Sequence, residues 1–261
     1  MWRGCAEFWM GLRLCHADGV MGSSSSFGAA AGFGQLLLAI DTCGPAGSVA
    51  LGRIAGRDLE VLGQTELEGR SYSSTLVAAV GELLAGAGVG LKDLGGMIAV
   101  NGPGSFTGVR VGLSAVKGLA EGARIPVVAL SRLAVLARKA QTPSAALDAH
   151  RNEVFLRVER VGKAPVEMLA GTAELAAIVA TGLSPLRIAV CDDAAAALLE
   201  TAWLGVQLVR CAAPMAADAL RMGEARLLAG AVVDLGELDG HYLRRSDAEI
   251  FGEAAAGARK G

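Results

Sequence analysis

A glycine-rich segment between an apolar run and an amphipathic stretch constrains this chain more than any other feature. Residues 101–112 read Asn-Gly-Pro-Gly-Ser-Phe-Thr-Gly-Val-Arg-Val-Gly, directly after the apolar run at residues 97–100. A strand that ends in a tight glycine turn and enters a helix is a building unit of α/β proteins. Backbone N–H groups at such a helix start can hold an anion. The alternative is a tight turn capped by Ser105, with glycines that pack closely on a neighbouring element.

Apolar periodicity predicts a regular order of elements after residue 35. Three short strands joined by tight turns precede helices that alternate with strands, in the order β-β-β-α-β-α-β-α. The later strands need crossovers, so we expect them to pair in parallel. In the first helix, the periodicity places six apolar residues on one face: Leu76, Val77, Val80, Leu83, Leu84 and Ala87. Beyond a boundary at residues 141–144 it predicts a smaller α/β unit, with a strand pair around residues 148–153 and a helix begun by Pro214.

Composition excludes several classes of protein. Of the 261 residues, 52% are hydrophobic and the net charge is −2. A chain this apolar can bury a sizeable core, and it lacks the cationic surface of a protein that binds nucleic acid alone. The uncharged run at residues 19–40 carries four serines and several glycines, so it is too polar for a membrane span. We expect a disordered or wrongly assigned leader at residues 1–34, a flexible tail at 253–261, and a cytoplasmic protein.

Few residues carry a chemical signal of their own. Asp41 and Thr42 follow the first strand, a position where actin-like ATPases hold metal-bound phosphate; the alternative is an ordinary Asp-led turn at a strand end. His16, His150 and His241 have no metal-ligand spacing. The five cysteines form no C-x-x-C pair, so we expect small buried hydrophobes rather than a disulfide framework or a zinc site.

Residues 101–112 closely resemble the signature GPGSFTGxRxG of the bacterial TsaB (YeaZ) family. The flanking order agrees, because LLLAIDT precedes the signature, LDAHRNEVF follows it, and Tyr-Leu-Arg comes at residues 242–244. The resemblance covers about residues 35–246. It implies an α/β, actin-like (ASKHA) fold of two RNase-H-like domains, here residues 35–141 with the partner-binding helices and the smaller unit 142–252.

The resemblance also implies a role in making threonylcarbamoyladenosine beside the tRNA anticodon. The chain would be a non-catalytic scaffold or dimerization subunit that docks and organises the transferase TsaD, with the ATPase TsaE joining them. Contact with tRNA would be indirect, and a homodimer could form without TsaD. The chain alone would bind no cofactor or metal, because ATP, ADP and metal belong to the partner subunits. The alternative is a free-standing actin-like kinase or ATPase for small molecules.

The sequence fits the non-catalytic role at two places. The catalytic paralogue carries an H-x-x-x-H metal pair on its first long helix, whereas residues 70–76 here contain no histidine. An actin-like enzyme places a glycine-rich nucleotide loop in its second half, whereas this chain has Asp192 and Asp193. Acidic side chains there would repel phosphate. We therefore expect no catalytic residue and no metal ligand.

The resemblance assigns candidate functional residues to three sets. Asp41 and Thr42 would be vestigial phosphate-side residues. The signature loop comprises Gly102, Pro103, Gly104, Ser105, Phe106, Thr107 and Arg110. The partner-binding helices would contribute Ser73, Leu76, Val80, Gly108, Val111, Gly112, Ser114, Ala115 and Gly118. The alternative for the small residues of the second helix is close packing against this chain's own sheet.

Overall fold

Two mixed sheets of five strands each organise the part of the chain that the computed structural model describes, residues 35–68, 71–160, 162–182 and 184–244. The leader and the tail that the sequence predicts lie outside these residues. The two sheets follow one another along the chain, and each combines an antiparallel meander with two parallel strands.

The first sheet confirms the predicted order of elements. Its strands lie in the order β3-β2-β1-β4-β5, with the first three antiparallel and β1, β4 and β5 parallel. The helices between the parallel strands supply the crossovers that such pairing needs. The bounds are Leu36–Asp41 for β1, Ala46–Ala55 for β2, Asp58–Glu68 for β3, Tyr72–Gly86 for α1, Leu94–Val100 for β4, Phe106–Ala123 for α2 and Val127–Leu130 for β5.

The second sheet repeats the topology of the first, with the order β8-β7-β6-β9-β10. Sequence reasoning missed β8, because Pro165 interrupts its apolar pattern. The structure places β8 at the sheet edge, where a proline removes no ladder hydrogen bond. The bounds are Ala145–Asp148 for β6, Val154–Arg160 for β7, Lys163–Ala170 for β8, Thr172–Ala180 for α4, Arg187–Val190 for β9, Asp193–Ala202 for α5 and Gln207–Arg210 for β10.

The last helix of each half packs on the sheet of the other half. Helix α3, Arg132–Lys139, follows β5 in sequence, yet its Leu133 and Leu136 pack with Leu147 of the second sheet. Helix α6, Ala216–Leu228, follows β10 and packs on the first sheet. A Cβ at Gly223 of α6 would overlap the Ile98 side chain, so the helix and β4 are in close contact. This exchange ties the halves together, and the domain boundary near residue 141 stays a prediction.

The buried faces of α1 and α2 follow the predicted periodicity with one exception. Val109, Leu113, Val116 and Ala120 of α2 are buried, as the stripe predicts. Leu84 of α1 is buried as well, but the interpretation of Val77 was wrong because its side chain is 58% exposed. Val77 lies one position beyond the core-facing edge of the helix, so it faces away from the sheet.

Candidate functional site

A cavity of about 1120 Å³ opens at the carboxyl ends of strands from both sheets. Loops that follow β1, β4, β6 and β9 form its walls, together with the segment 241–244. In open α/β sheets, ligands bind in the crevice outside these strand ends. The polar lining residues are Ser105, Arg132, Asp148, His150, Arg151, Asp192, His241, Tyr242 and Arg244.

The signature loop is fixed to the turn that follows β1. The backbone N–H of Ser105 donates to the Cys43 carbonyl over 2.7 Å, and a Cβ at Gly104 would overlap that same carbonyl group. The Ser105 hydroxyl accepts from the Gly108 N–H at 3.2 Å and caps α2, as the sequence predicted. The Gly102 carbonyl accepts from the Arg132 N–H at 2.6 Å. These contacts favour the tight-turn interpretation of the loop.

Two glycines assigned to partner binding lie inside the chain instead. Gly108 and Gly112 are buried, and a Cβ at either position would overlap Thr42. The Thr42 hydroxyl donates to the Gly108 carbonyl over 2.7 Å. The small size of these residues therefore lets α2 approach the end of β1, which is the alternative that the sequence left open.

Asp41 and Thr42 are engaged in internal contacts. The Asp41 carboxylate accepts from the Cys43 N–H at 2.8 Å and lies 3.4 Å from the Nε of Arg132. Both ion-pair side chains are buried. Burial by itself would lower the pKa of Arg132, but the negative charge of Asp41 outweighs it, so that pKa is raised. Arg132 follows Ser131, the N-cap of α3, and its partner Asp41 lies 91 positions earlier in the chain, so the sequence carries no signal for this pair.

The remaining residues assigned to partner binding divide between core and surface. Leu76 and Val80 are buried in the first core, so their side chains do not reach the surface of α1. Exposed positions are Ser73, Ser114 and Gly118, while Val111 and Ala115 are half-buried. A Cβ at Gly118 would meet no atom within 4 Å.

An aromatic cluster with one arginine lies at the rim of the cavity. The guanidinium carbon of Arg110 is 3.7 Å from the centre of the Phe106 ring, and its Nε donates to the Tyr242 hydroxyl at 3.3 Å. The centres of the Phe106 and Tyr242 rings are 5.2 Å apart, and both side chains are about 40% exposed. Thr107 is exposed beside them. The cluster links the start of α2 to the segment 241–244.

A polar network around Glu167 connects the second sheet, α3 and the segment 241–244. Glu167 accepts hydrogen bonds from Ser131 at 2.6 Å, from Arg157 at 2.6 Å and from the Nε2 of His241 at 2.8 Å. Burial by itself would raise the pKa of Glu167, but these hydrogen bonds outweigh it, so that pKa is lowered. Sequence reasoning missed Glu167 because it missed β8.

Asp192 has a structural role at the start of α5. One carboxylate oxygen accepts from the Ala195 N–H at 2.7 Å and caps the helix, and the other accepts from the Asp148 N–H at 3.0 Å. The neighbouring Asp193 is exposed and pairs with Arg210. The carboxylate therefore takes the place at the helix start that an anion would need.

The turn between β6 and β7 contributes polar side chains to the lining of the cavity. Three successive residues, His150, Arg151 and Asn152, have φ near +60°. Such backbone is uncommon for residues other than glycine and is found often at functional sites. His150 is exposed and its Nδ1 lies 2.9 Å from Asp148, while Arg244 pairs with Glu153 at the end of the turn.

The described part of the chain contains neither a cluster of potential metal ligands nor a helix suited to a membrane. In residues 35–68, 71–160, 162–182 and 184–244, no group of three or more His, Cys, Asp or Glu side chains is placed to hold a metal ion. Within the same ranges, no helix is both long and apolar enough to span a membrane.

Comparison with known proteins identifies relatives of this chain. A family model described as "TsaD: tRNA N6-adenosine threonylcarbamoyltransferase" matches residues 64–182. The protein "tRNA threonylcarbamoyladenosine biosynthesis protein TsaB" of Haemophilus influenzae is 39% identical over 125 residues, which cover 46% of this chain and 51% of that protein. Its Escherichia coli counterpart is 37% identical over 125 residues, covering 46% of this chain and 52% of that protein. The matched segment thus spans about half the length of these relatives.

A solved structure extends the similarity to most of the chain. "YeaZ from Pseudomonas aeruginosa" matches 80% of this chain and 100% of its own, with 28% identity and a TM-score of 0.64. These similarities in sequence and fold support the TsaB (YeaZ) family. This confirms the family inferred from the signature loop, and it confirms the fold class. The two sheets of equal topology are the RNase-H-like halves of an actin-like fold.

Proposed function

We propose that this chain is a non-catalytic subunit in the synthesis of threonylcarbamoyladenosine on tRNA, and that it docks and organises the transferase TsaD. The names of the TsaB relatives from Haemophilus influenzae and Escherichia coli support a role in threonylcarbamoyladenosine biosynthesis. The non-catalytic role is supported by Asp41 and Thr42, whose side chains serve contacts within the chain. The cytoplasm, where tRNA is modified, is the proposed location.

The outer faces of α1 and α2 are the observation on which the docking proposal rests. Most exposed residues there are small or apolar, among them Val77 and Gly81 on α1 and Ser114 and Gly118 on α2. The charged exceptions are Glu82, Arg110 and Glu121. A Cβ at Gly81 or Gly118 would meet nothing within 4 Å, so another helix could approach the backbone closely. Burial of such a surface against a partner is favourable because it removes apolar area from water.

Similarity to TsaD suggests that α1 and α2 pair with the equivalent helices of that partner. The transferase family model matches residues 64–182, a segment that contains both α1 and α2. Two proteins with equivalent helices can pair around a two-fold axis through the same patch on each. The same geometry supports a homodimer of this chain when TsaD is absent. The family resemblance is the ground for including the ATPase TsaE and for placing tRNA, ATP, ADP and metal with the partner subunits.

Binding of purified TsaD from the same organism tests the proposal. Ser114→Arg adds a bulky charge to the exposed face of α2, and we expect it to weaken TsaD binding at least about tenfold, equivalent to about 1.4 kcal/mol. Ala197→Arg is the matched control, because Ala197 is an exposed position on α5 in the other half. Both variants should keep the far-ultraviolet circular dichroism of the parent. Equal TsaD binding by Ser114→Arg and the parent would place the interface elsewhere.

An activity measurement separates the scaffold from the alternative kinase or ATPase. The cavity of about 1120 Å³ is large enough for a small-molecule substrate, which is the observation that favours the alternative. We expect the purified chain to show no ATP turnover above that of buffer with Mg²⁺. We expect reconstituted TsaD to need the chain for tRNA modification, measured by nucleoside analysis. Robust ATP turnover by the chain alone would contradict the scaffold role.

A further inference from the structure

Two cysteines that are far apart in the sequence are neighbours in the second sheet. Cys191 directly follows β9 and Cys211 directly follows β10. These strands are parallel, with Val190 opposite Arg210, and the Cys211 N–H donates to the Val190 carbonyl at 3.1 Å. The ladder therefore continues for one more residue, and Cys191 and Cys211 occupy opposing positions.

The two side chains lie on the same face of the sheet. Both pack against the buried cluster that contains Leu133 of α3 and Ala189 of β9. Neighbouring strands are about 4.7–4.9 Å apart, and a disulfide needs Cα atoms about 4.4–6.8 Å apart. Opposing positions on one face therefore meet the Cα requirement for a disulfide bond.

The two thiols are also accessible, unlike that of Cys43. Cys191 and Cys211 are half-buried free thiols, and Cys191 lines the cavity. Cys43 is 1% exposed, and its thiol donates to the Val100 carbonyl at 3.2 Å. A small oxidant can reach the first two thiols, whereas the third is shielded by the core.

We propose that Cys191 and Cys211 form a reversible thiol–disulfide site whose oxidant is a peroxide. One thiolate attacks a peroxide oxygen, the O–O bond breaks, and a sulfenic acid and one water form. The second thiolate attacks that sulfur, the S–O bond breaks, and a second water leaves. Two thiols thus lose two protons and two electrons, and hydrogen peroxide becomes two waters.

The disulfide would join the end of β9 to the segment that leads into α6. That segment is already held by Lys139, whose ammonium donates to the Ala213 carbonyl at 2.9 Å. Because α6 packs on the first sheet, the bond would fix the connection between the halves at the wall of the cavity. A covalent link between distant residues restricts the unfolded chain, so it raises the midpoint of thermal unfolding.

The environment of the thiols makes the reaction slow at neutral pH. Burial raises the pKa of Cys191 to about 11 and also raises the pKa of Cys211. Because the thiolate is the nucleophile, the rate of oxidation should rise about tenfold for each pH unit between about pH 7 and pH 9. Cytosolic disulfides are mostly transient, and this site is expected to close only under sustained oxidation.

Mass spectrometry of the oxidised full chain tests the site. Cys5→Ser and Cys15→Ser remove the thiols outside the described residues, so that Cys43, Cys191 and Cys211 remain. After treatment with hydrogen peroxide, we expect a loss of about 2 Da and a cross-linked peptide that contains Cys191 and Cys211, both reversed by dithiothreitol. Cys43 should stay open to alkylation after unfolding, which shows that oxidation occurred in the folded chain.

Serine variants decide between the disulfide and independent oxidation. In a background that also carries Cys191→Ser or Cys211→Ser, the 2 Da loss and the increase in the thermal midpoint should disappear. The proposal is overturned if Cys191 and Cys211 gain oxygen separately, if they link different chains, or if both stay reduced at about pH 9 under excess peroxide.

Discussion

The Nε atom of Arg132 lies 3.4 Å from Oδ2 of Asp41, and both side chains are buried, with Arg132 lining the cavity. Asp41 ends β1 of the first sheet, whereas Arg132 begins α3, which packs on the second. One ion pair therefore joins the two halves where their strand ends meet. In the proposed scaffold, the two residues act on the relative position of the halves rather than on a phosphate group.

Removal of Arg132 should destabilise the protein strongly. Arg132→Met leaves the Asp41 carboxylate buried without its counter-ion, and breaking a buried pair in this way costs about 3–5 kcal/mol. Urea denaturation at pH 7 measures the free energy of unfolding. The double variant Asp41→Asn with Arg132→Met should lose less than Arg132→Met alone, since no unpaired charge remains. Equal losses in the single and double variants would show that the charges do not interact.

Alanine substitution of two glycines on different sides of α2 should change the stability of the protein in opposite directions. Gly108→Ala forces a Cβ against the Thr42 carbonyl, and overpacking of this kind costs about 1–3 kcal/mol. Gly118→Ala meets open space and should stabilise the helix by about 0.5–1 kcal/mol. Thermal unfolding of the two variants side by side measures the difference. A stabilised Gly108→Ala variant would be incompatible with the close contact between α2 and β1.

Replacement of Glu167 should reduce stability most at neutral pH. Glu167→Gln weakens the hydrogen bonds from Ser131, Arg157 and His241, and we expect a loss of about 1–3 kcal/mol. Because the folded-state pKa of Glu167 is lowered, its ionised form stabilises the protein above the ordinary carboxyl pKa, and this stability is lost as the pH falls through the lowered value.

The stability lost in Glu167→Gln should depend on pH, and this dependence tests the role of the Glu167 charge. Urea denaturation of the parent and of Glu167→Gln from about pH 7 to about pH 3 should show a difference that shrinks below about pH 4.3, the ordinary pKa of glutamate. Glu174→Gln is a suitable control, because Glu174 is exposed and its carboxylate accepts from the local Gly171 N–H. A difference that does not change with pH would rule out a role for the charge of Glu167.

Tyr72 should ionise only at high pH, and its hydroxyl should stabilise the turn after β1. Its hydroxyl donates to the Gly44 carbonyl at 2.9 Å, and burial raises its pKa to about 12. Tyr72→Phe should cost about 1 kcal/mol, because the Gly44 carbonyl loses its partner. The raised pKa means that this stability is present below about pH 10 and is lost as the pH rises through about 12. Ultraviolet titration of the parent should contain a late tyrosinate step that Tyr72→Phe lacks.

Several features of the fold and site could be predicted because they depend on consecutive residues. The buried stripe of α2 and the Ser105 cap follow from helical periodicity and from the geometry of a helix start. Strand β8 could not be predicted, because Pro165 is acceptable only at a sheet edge, and edge position is a property of strand order. The exposure of Val77 likewise depends on how α1 is rotated against its sheet.

The sequence by itself determined the order of elements in the first half and the family that the chain resembles, because both depend on short runs of consecutive residues. Only the tertiary structure decided that α3 and α6 are exchanged between the halves and that Gly108 and Gly112 face Thr42. It also decided that Asp41 meets Arg132 and that Cys191 lies opposite Cys211. Each of these contacts joins residues far apart in the chain, and strand order and helix packing alone bring them together.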